Sequence, residues 1–195
     1  MKKTIDTAAD HAAIETAPQQ AAPKGIGMAV ALDWGFGAQF LVAPVLSRVF
    51  GISGFGVTLP KTTNPAMASL IMFVVTLPVM LICFGFGEGV RRGWRWTRYV
   101  QVTINTLLFL GGFVSLFSLW QAIGHRNYWP IATTVILLFI SPVIAWRMSR
   151  PETGHWFATV TSAEARKRHG GMWMVYIALW AIAGATLQVL AGSFR

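Results

Sequence analysis

Five apolar blocks of roughly 20 residues each, separated by short segments that hold most of the arginines, constrain this chain more than any other feature. They lie near residues 27–50, 65–87, 100–123, 130–148 and 172–191. A helix rises 1.5 Å per residue, so about 20 residues cross a hydrocarbon layer about 30 Å thick. A water-soluble fold would alternate such stretches with polar faces, and these do not alternate. Only 12% of the residues are charged while 54% are hydrophobic, against about 25% charged in soluble domains. Backbone polar groups in lipid must be satisfied within the segment. The expectation is an all-α, polytopic membrane helix bundle with five transmembrane helices, or four if the first block fails to span. That block is the weakest, because Asp33, Gln39, Pro44 and Arg48 interrupt it.

The basic residues set the expected orientation. Lys2, Lys3 and Lys24 precede the first block; Arg91, Arg92, Arg95 and Arg98 follow the second; Arg147, Arg150, Arg166, Lys167 and Arg168 follow the fourth. These are twelve of the 16 Lys and Arg residues. The other four (Arg48, Lys61, Arg126 and Arg195) fall in the alternate set of connections. The positive-inside rule then places the N-terminus in the cytoplasm and the C-terminus on the periplasmic or extracytoplasmic side. The same asymmetry supports the first block as a span, since without it the three N-terminal lysines would face the wrong way. The net charge of +9 is explained by this distribution, and nucleic acid is not expected as a partner. Aromatic residues mark both boundaries: Trp94, Trp96, Tyr99, Trp146, Trp156 and Trp173 at one level, and Trp120, Tyr128 and Trp129 at the other.

Residues 1–26 are polar and rich in Ala, Pro and Gln, and read as a flexible cytoplasmic tail. Lys2 and Lys3 resemble the start of a signal peptide, but no apolar run follows at the required distance, so cleavage is not expected. Residues 27–195 form the membrane domain. Within it, residues 149–171 form a polar interfacial loop with two helix-start signatures: Ser149 three residues before Glu152, and Thr161 three before Glu164. Gly154 argues against one unbroken helix across it. Trp156 and Phe157 are expected to dip into the lipid interface, flanked by arginines that meet lipid phosphates.

Charges inside a span are candidate functional groups because burying them costs about 2.5–3.5 kcal/mol at mid-membrane. Asp33 leads, with Arg48 and Asn105 as possible helpers in an intramembrane polar site. The bland reading of Asp33 is a group near the headgroups or paired with a neighbouring helix; that of Arg48 is a side chain reaching the interface from a span end. Glu88 is placed to pair with Arg91 and Arg92 at i+3 and i+4. Thr103, Thr106, Ser115, Ser118 and Gln121 give the third span a polar side, for which hydrogen bonds between helices suffice. Small residues at Gly85/Gly89 and Ala181/Ala185 fit close helix contact. The lone Cys83 permits no internal disulfide and no thiolate metal site. His11, His125, His155 and His169 lie outside the apolar blocks, which disfavours bis-histidine haem. HExxH, P-loop, CxxC and G-x-S-x-G motifs are all absent, so no catalytic residue, cofactor or metal is expected.

Arg92-Gly93-Trp94-Arg95-Trp96-Thr97-Arg98, an R-G-x-R-W-x-R turn between two spans, is followed after the next hairpin by Pro151 and Trp156-Phe157, a P-x-x-x-x-W-F segment. Over roughly residues 70–157 this resembles small, uncharacterised bacterial multispan inner-membrane proteins. The resemblance implies a bacterial inner-membrane setting and carries over no activity and no site residues. The function expected is that of a non-catalytic subunit or partner-binding protein of a larger membrane complex. It would contact membrane lipids and other membrane subunits, with Arg91, Arg92, Arg95, Arg98, Arg150, Trp156 and Phe157 as candidate lipid or partner contacts. The alternative is a small ion or proton transporter or channel using Asp33. A lipid-modifying enzyme would have to rely on Arg150, Glu152 and His155.

Overall fold

The computed structural model describes residues 23–50, 64–124 and 130–193. Among these there is no strand, and the elements are helices α1 (Ile26–Phe50), α2 (Pro65–Arg91), α3 (Arg95–Gly124), α4 (Pro130–Ser149), α5 (Pro151–Thr159), α6 (Ser162–Arg168) and α7 (Met172–Ser193). Five of them, α1 to α4 and α7, are long and apolar enough to cross a membrane. Residues 1–22 of the expected tail, Tyr128 and Trp129 lie outside the described residues, and the tail's last residue, Ile26, already opens α1.

The first block, doubtful on composition, is the central helix. α1 packs along its length between α2 and α7, and α3 packs along α4. A central helix tolerates polar residues because neighbouring helices rather than lipid meet them, which is why Asp33 and Gln39 sit in this span. Gly35 lies against the backbone of Ala181 on α7, and Ala181 and Ala185 are buried there as expected. Gly89 is likewise covered, by Thr97 and Trp94, whereas Gly85 faces open space.

α4 changes pitch midway. Pro142 has no N–H to give Leu138, so the chain widens into a π-helical turn over Ile136–Ile140. The Ser141 N–H bonds Ile136 O, five residues back, and the Ser141 hydroxyl donates to the same oxygen at 3.2 Å. The wide turn presses Leu137 and Leu138 onto Gly112 of α3.

The hydrophobic core is gathered at the arginine-bearing end rather than at mid-span. Ile26, Ala29 and Val30 from the start of α1 meet Val90 from the end of α2 and Ile144 and Met148 from the end of α4. Trp156 and Phe157 of α5 and Ala165 of α6 complete the cluster. α5 and α6 therefore fold back as a cap over the helix ends. On α5 the inward positions are Thr153, Trp156 and Phe157, the i, i+3, i+4 pattern of a one-sided helix, and Val160 just past its end packs on the same core. Thr161 caps α6 by accepting from the Glu164 N–H, as its spacing anticipates. Ser149 does not cap α5: its hydroxyl donates to Ala145 O at 2.7 Å, and α5 starts at Pro151 behind an extended Arg150. Gly154 does not break the loop helix. It lies within α5, where a Cβ would fall 2.8 Å from Arg98 Nη1; the break comes at Val160.

Candidate functional site

Two polar assemblies occupy the basic end. The first is built by the turn between α2 and α3. α2 closes with Gly93 at φ 72°, the Trp94 N–H bonding Gly89 O and the Gly93 N–H bonding Val90 O, the pair of bonds of a Schellman ending. From this turn three arginines reach the C-terminal ends of three other helices. Arg98 Nε donates to Met148 O at 2.7 Å and its Nη2 to Ser149 O at 3.3 Å, at the end of α4. Arg95 Nη2 donates to Ala158 O at the end of α5. Arg91 Nη1 donates to His169 O, 3.0 Å away, at the end of α6. Helix ends leave carbonyls unpaired and carry partial negative charge, so a guanidinium fork there satisfies both needs. Glu88 holds the fork of Arg91 by two 2.6 Å bonds and takes a third from Arg92 Nε, the ion pairs anticipated from spacing.

Of the expected lipid contacts, Arg91, Arg95 and Arg98 are thus engaged with the protein's own backbone and Arg92 with Glu88. Trp156 and Phe157 are 3% and 2% exposed. They lie inside the protein, not at its outer surface, because α5 is pinned under the arginines and turns its apolar face inward. Arg150 is exposed and makes no hydrogen bond from its side chain among the described residues; its guanidinium lies 4.1 Å from the centre of the Trp146 ring.

His169 lies under this clamp, its ring 5.7 Å from Trp156 and 4.7 Å from Trp173. Nδ1 faces Arg91 O at 3.4 Å, so that nitrogen carries the ring proton. Burial pulls the imidazole below its usual 6.5; the Arg91 carbonyl contact opposes this, and the charges of Arg91 and Arg168 add to it. The unfolded chain therefore binds this proton more readily than the folded one. Stability from the neutral ring is present above pH 6.5 and is lost as pH falls below it toward the folded value. Thermal unfolding in detergent should show this acid-side loss in the wild type and a reduced slope in His169→Phe; equal slopes would place the titration elsewhere.

The second assembly joins α1 to α3. Asp33 Oδ2 accepts from Gln101 Nε2 at 2.6 Å, and Gln101 Oε1 accepts from Asn105 Nδ2 at 2.6 Å. Asn105 also donates to Gln101 O at 2.9 Å, while its buried Oδ1 has no partner among the described residues. Gly87 lets α2 lie close to α1 beside Asp33, since a Cβ there would fall 2.6 Å from Trp34 Cδ1 and 3.2 Å from Asp33 Cβ. Asp33 is about 10 Å along α1 from Ile26, and Gln101 follows Arg98 by about one turn, so the chain sits toward the basic end. Of the three expected members, Asp33 and Asn105 are brought together. Arg48 is fifteen residues beyond Asp33, about 22 Å along the helix, and its side chain lies outside the described residues. The link between the two is Gln101, which composition did not single out. Its signal was positional: Thr97, Gln101 and Asn105 recur every fourth residue and are all buried.

Further toward the opposite end, Gln39 donates to Gln188, tying α1 to α7. Beside this pair, Gly35, Ile140, Trp180 and Ala185 line an apolar groove of about 460 Å³. No cluster of His, Cys, Asp and Glu able to hold a metal occurs among the described residues. No protein-family model matches the chain, and comparison with curated proteins and with solved structures finds no match.

Proposed function

We propose that this chain is a non-catalytic integral membrane subunit that packs against other membrane proteins in a bacterial inner membrane, with its basic end in the cytoplasm. The observation that carries the reading is the outward face of α3. This 30-residue helix buries only Thr97, Gln101, Asn105 and Gly112. One stripe on its other side runs through Thr103, Leu107, Leu110, Val114 and Gln121, with Ser118 beside it, all exposed. Other hydroxyls in the spans have partners: Thr106 donates to Val102 O, Thr186 to Ile182 O, and Ser115 to Gly112 O and across to Thr134 on α4. Thr103, Ser118 and Gln121 make no hydrogen bond among the described residues. A stripe apolar at its middle and polar toward both ends suits a second helix, each interhelical hydrogen bond contributing roughly 0.6 kcal/mol.

A photo-crosslinker at Val114, compared with one at Val79 on α2, tests this in native membranes. A discrete adduct from Val114 alone, with a partner retained through mild detergent extraction, is the expected result. A lone monomer with no adduct from either position would sink the reading.

The transporter reading is favoured by one feature, the buried chain Asp33–Gln101–Asn105 with its open Asn105 oxygen. Its test is proton or ion flux in liposomes, which Asp33→Asn should abolish. Absence of flux in the wild type would end it.

A further inference from the structure

With Arg91, Arg92, Arg95 and Arg98 held by the protein's own groups, three of the other basic residues at the same end gather in one place. Lys24, Arg147 and Arg150 line a pocket of about 430 Å³ together with Trp146, Glu152 and Thr153. It lies where the turn into α1 meets the corner between α4 and α5. Three cations face one carboxylate, and none of the four takes part in an ion pair among the described residues. The arrangement is held from behind. Thr153 donates to Arg147 O at 2.8 Å and Arg98 grips Met148 O, so the corner is fixed on its inner side. Gly25, at φ 122°, presses against the stem of Arg147, where a Cβ would fall 2.9 Å from Cδ. The Arg150 guanidinium is spread over Trp146, itself 56% exposed.

We infer that this pocket binds the phosphate of an anionic phospholipid headgroup. Positive charge in excess by two, two guanidinium groups free of ion pairs and an exposed indole beside the end of a span are the features that recognise such a group. Basic pockets between spans at one leaflet take phospholipid heads in this way. The acyl chains would run along the apolar surface of α4 beyond Trp146. The headgroup belongs here rather than to the arginine turn, whose forks already hold carbonyls.

The test uses the full chain in a neutral detergent, titrated with short-chain phosphatidylglycerol, short-chain phosphatidylcholine or inorganic phosphate and read by native mass spectrometry. One phosphatidylglycerol should be retained preferentially. The double variant Arg147→Gln/Arg150→Gln should bind it about tenfold more weakly, while Arg166→Gln/Lys167→Gln, with the same loss of charge outside the pocket, should match the wild type. Arg150→Gln alone, a surface change, serves if the double variant unfolds, and should give a smaller loss in the same direction. Equal weakening in the Arg166/Lys167 variant would reduce the effect to general charge and overturn the site. Equal retention of phosphatidylcholine, or inorganic phosphate binding as tightly as the lipid, would overturn it as well.

Discussion

Trp156→Ala should destabilise the protein by about 3–5 kcal/mol, the range for removing a buried large aromatic, and the loss should fall first on the cap. The ring lies edge-on to Phe157 at 4.9 Å and to His169 at 5.7 Å, and the Gly93 turn closes over it. Its removal separates α5 and α6 from the helix ends beneath. Trypsin reports this directly, because Arg166, Lys167 and Arg168 follow Ala165, the buried anchor of α6. Cleavage there should accelerate in Trp156→Ala, and stability to denaturing detergent should drop. Trp96→Ala, at a ring 53% exposed, should change neither appreciably. Indistinguishable behaviour of the two variants would mean that the cap does not depend on its core.

The second large effect is expected at Gly87. A valine there places Cβ 2.6 Å from Trp34 Cδ1 and 2.7 Å from Nε1, so α1 and α2 must separate. Overpacking of this kind costs about 1–3 kcal/mol, and the displacement also moves Asp33 away from Gln101. Gly85, two residues earlier, supplies the control, since a Cβ there meets nothing within 4 Å. Gly85→Ala should be neutral or stabilising, because alanine is the better helix former. Unfolding of the two variants under the same conditions distinguishes close helix contact from a general sensitivity of glycine on α2. Equal destabilisation at both positions would refute the contact.

What could be read in the residues was what local rules govern. Block length and the arginine spacing foretell five apolar helices; the Glu88 ion pairs and the Thr161 cap follow from offsets of three and four along one helix. Partners across helices were not legible. Asp33 meets Gln101, 68 residues away, and periodicity identifies the face on which a residue lies without naming what it faces. Arginines at a membrane boundary read alike whether they meet lipid phosphates or helix-end carbonyls, since both present oxygen to a fork. Only the return of α5 and α6 under the turn decides between them. The spacing of Thr153, Trp156 and Phe157 held the clue, a small helix with one apolar side.

The arginine turn also separates two properties that a point substitution normally confounds. Charge sign is what a bilayer responds to when a span is threaded, and lysine supplies it as well as arginine does. The planar fork is what grips Met148 O and Ser149 O together, and a lysine ammonium has no such geometry. Arg-to-Lys replacement in this turn therefore leaves the threading instruction intact while releasing the ends of α4, α5 and α6, giving a chain correctly inserted and loosely closed.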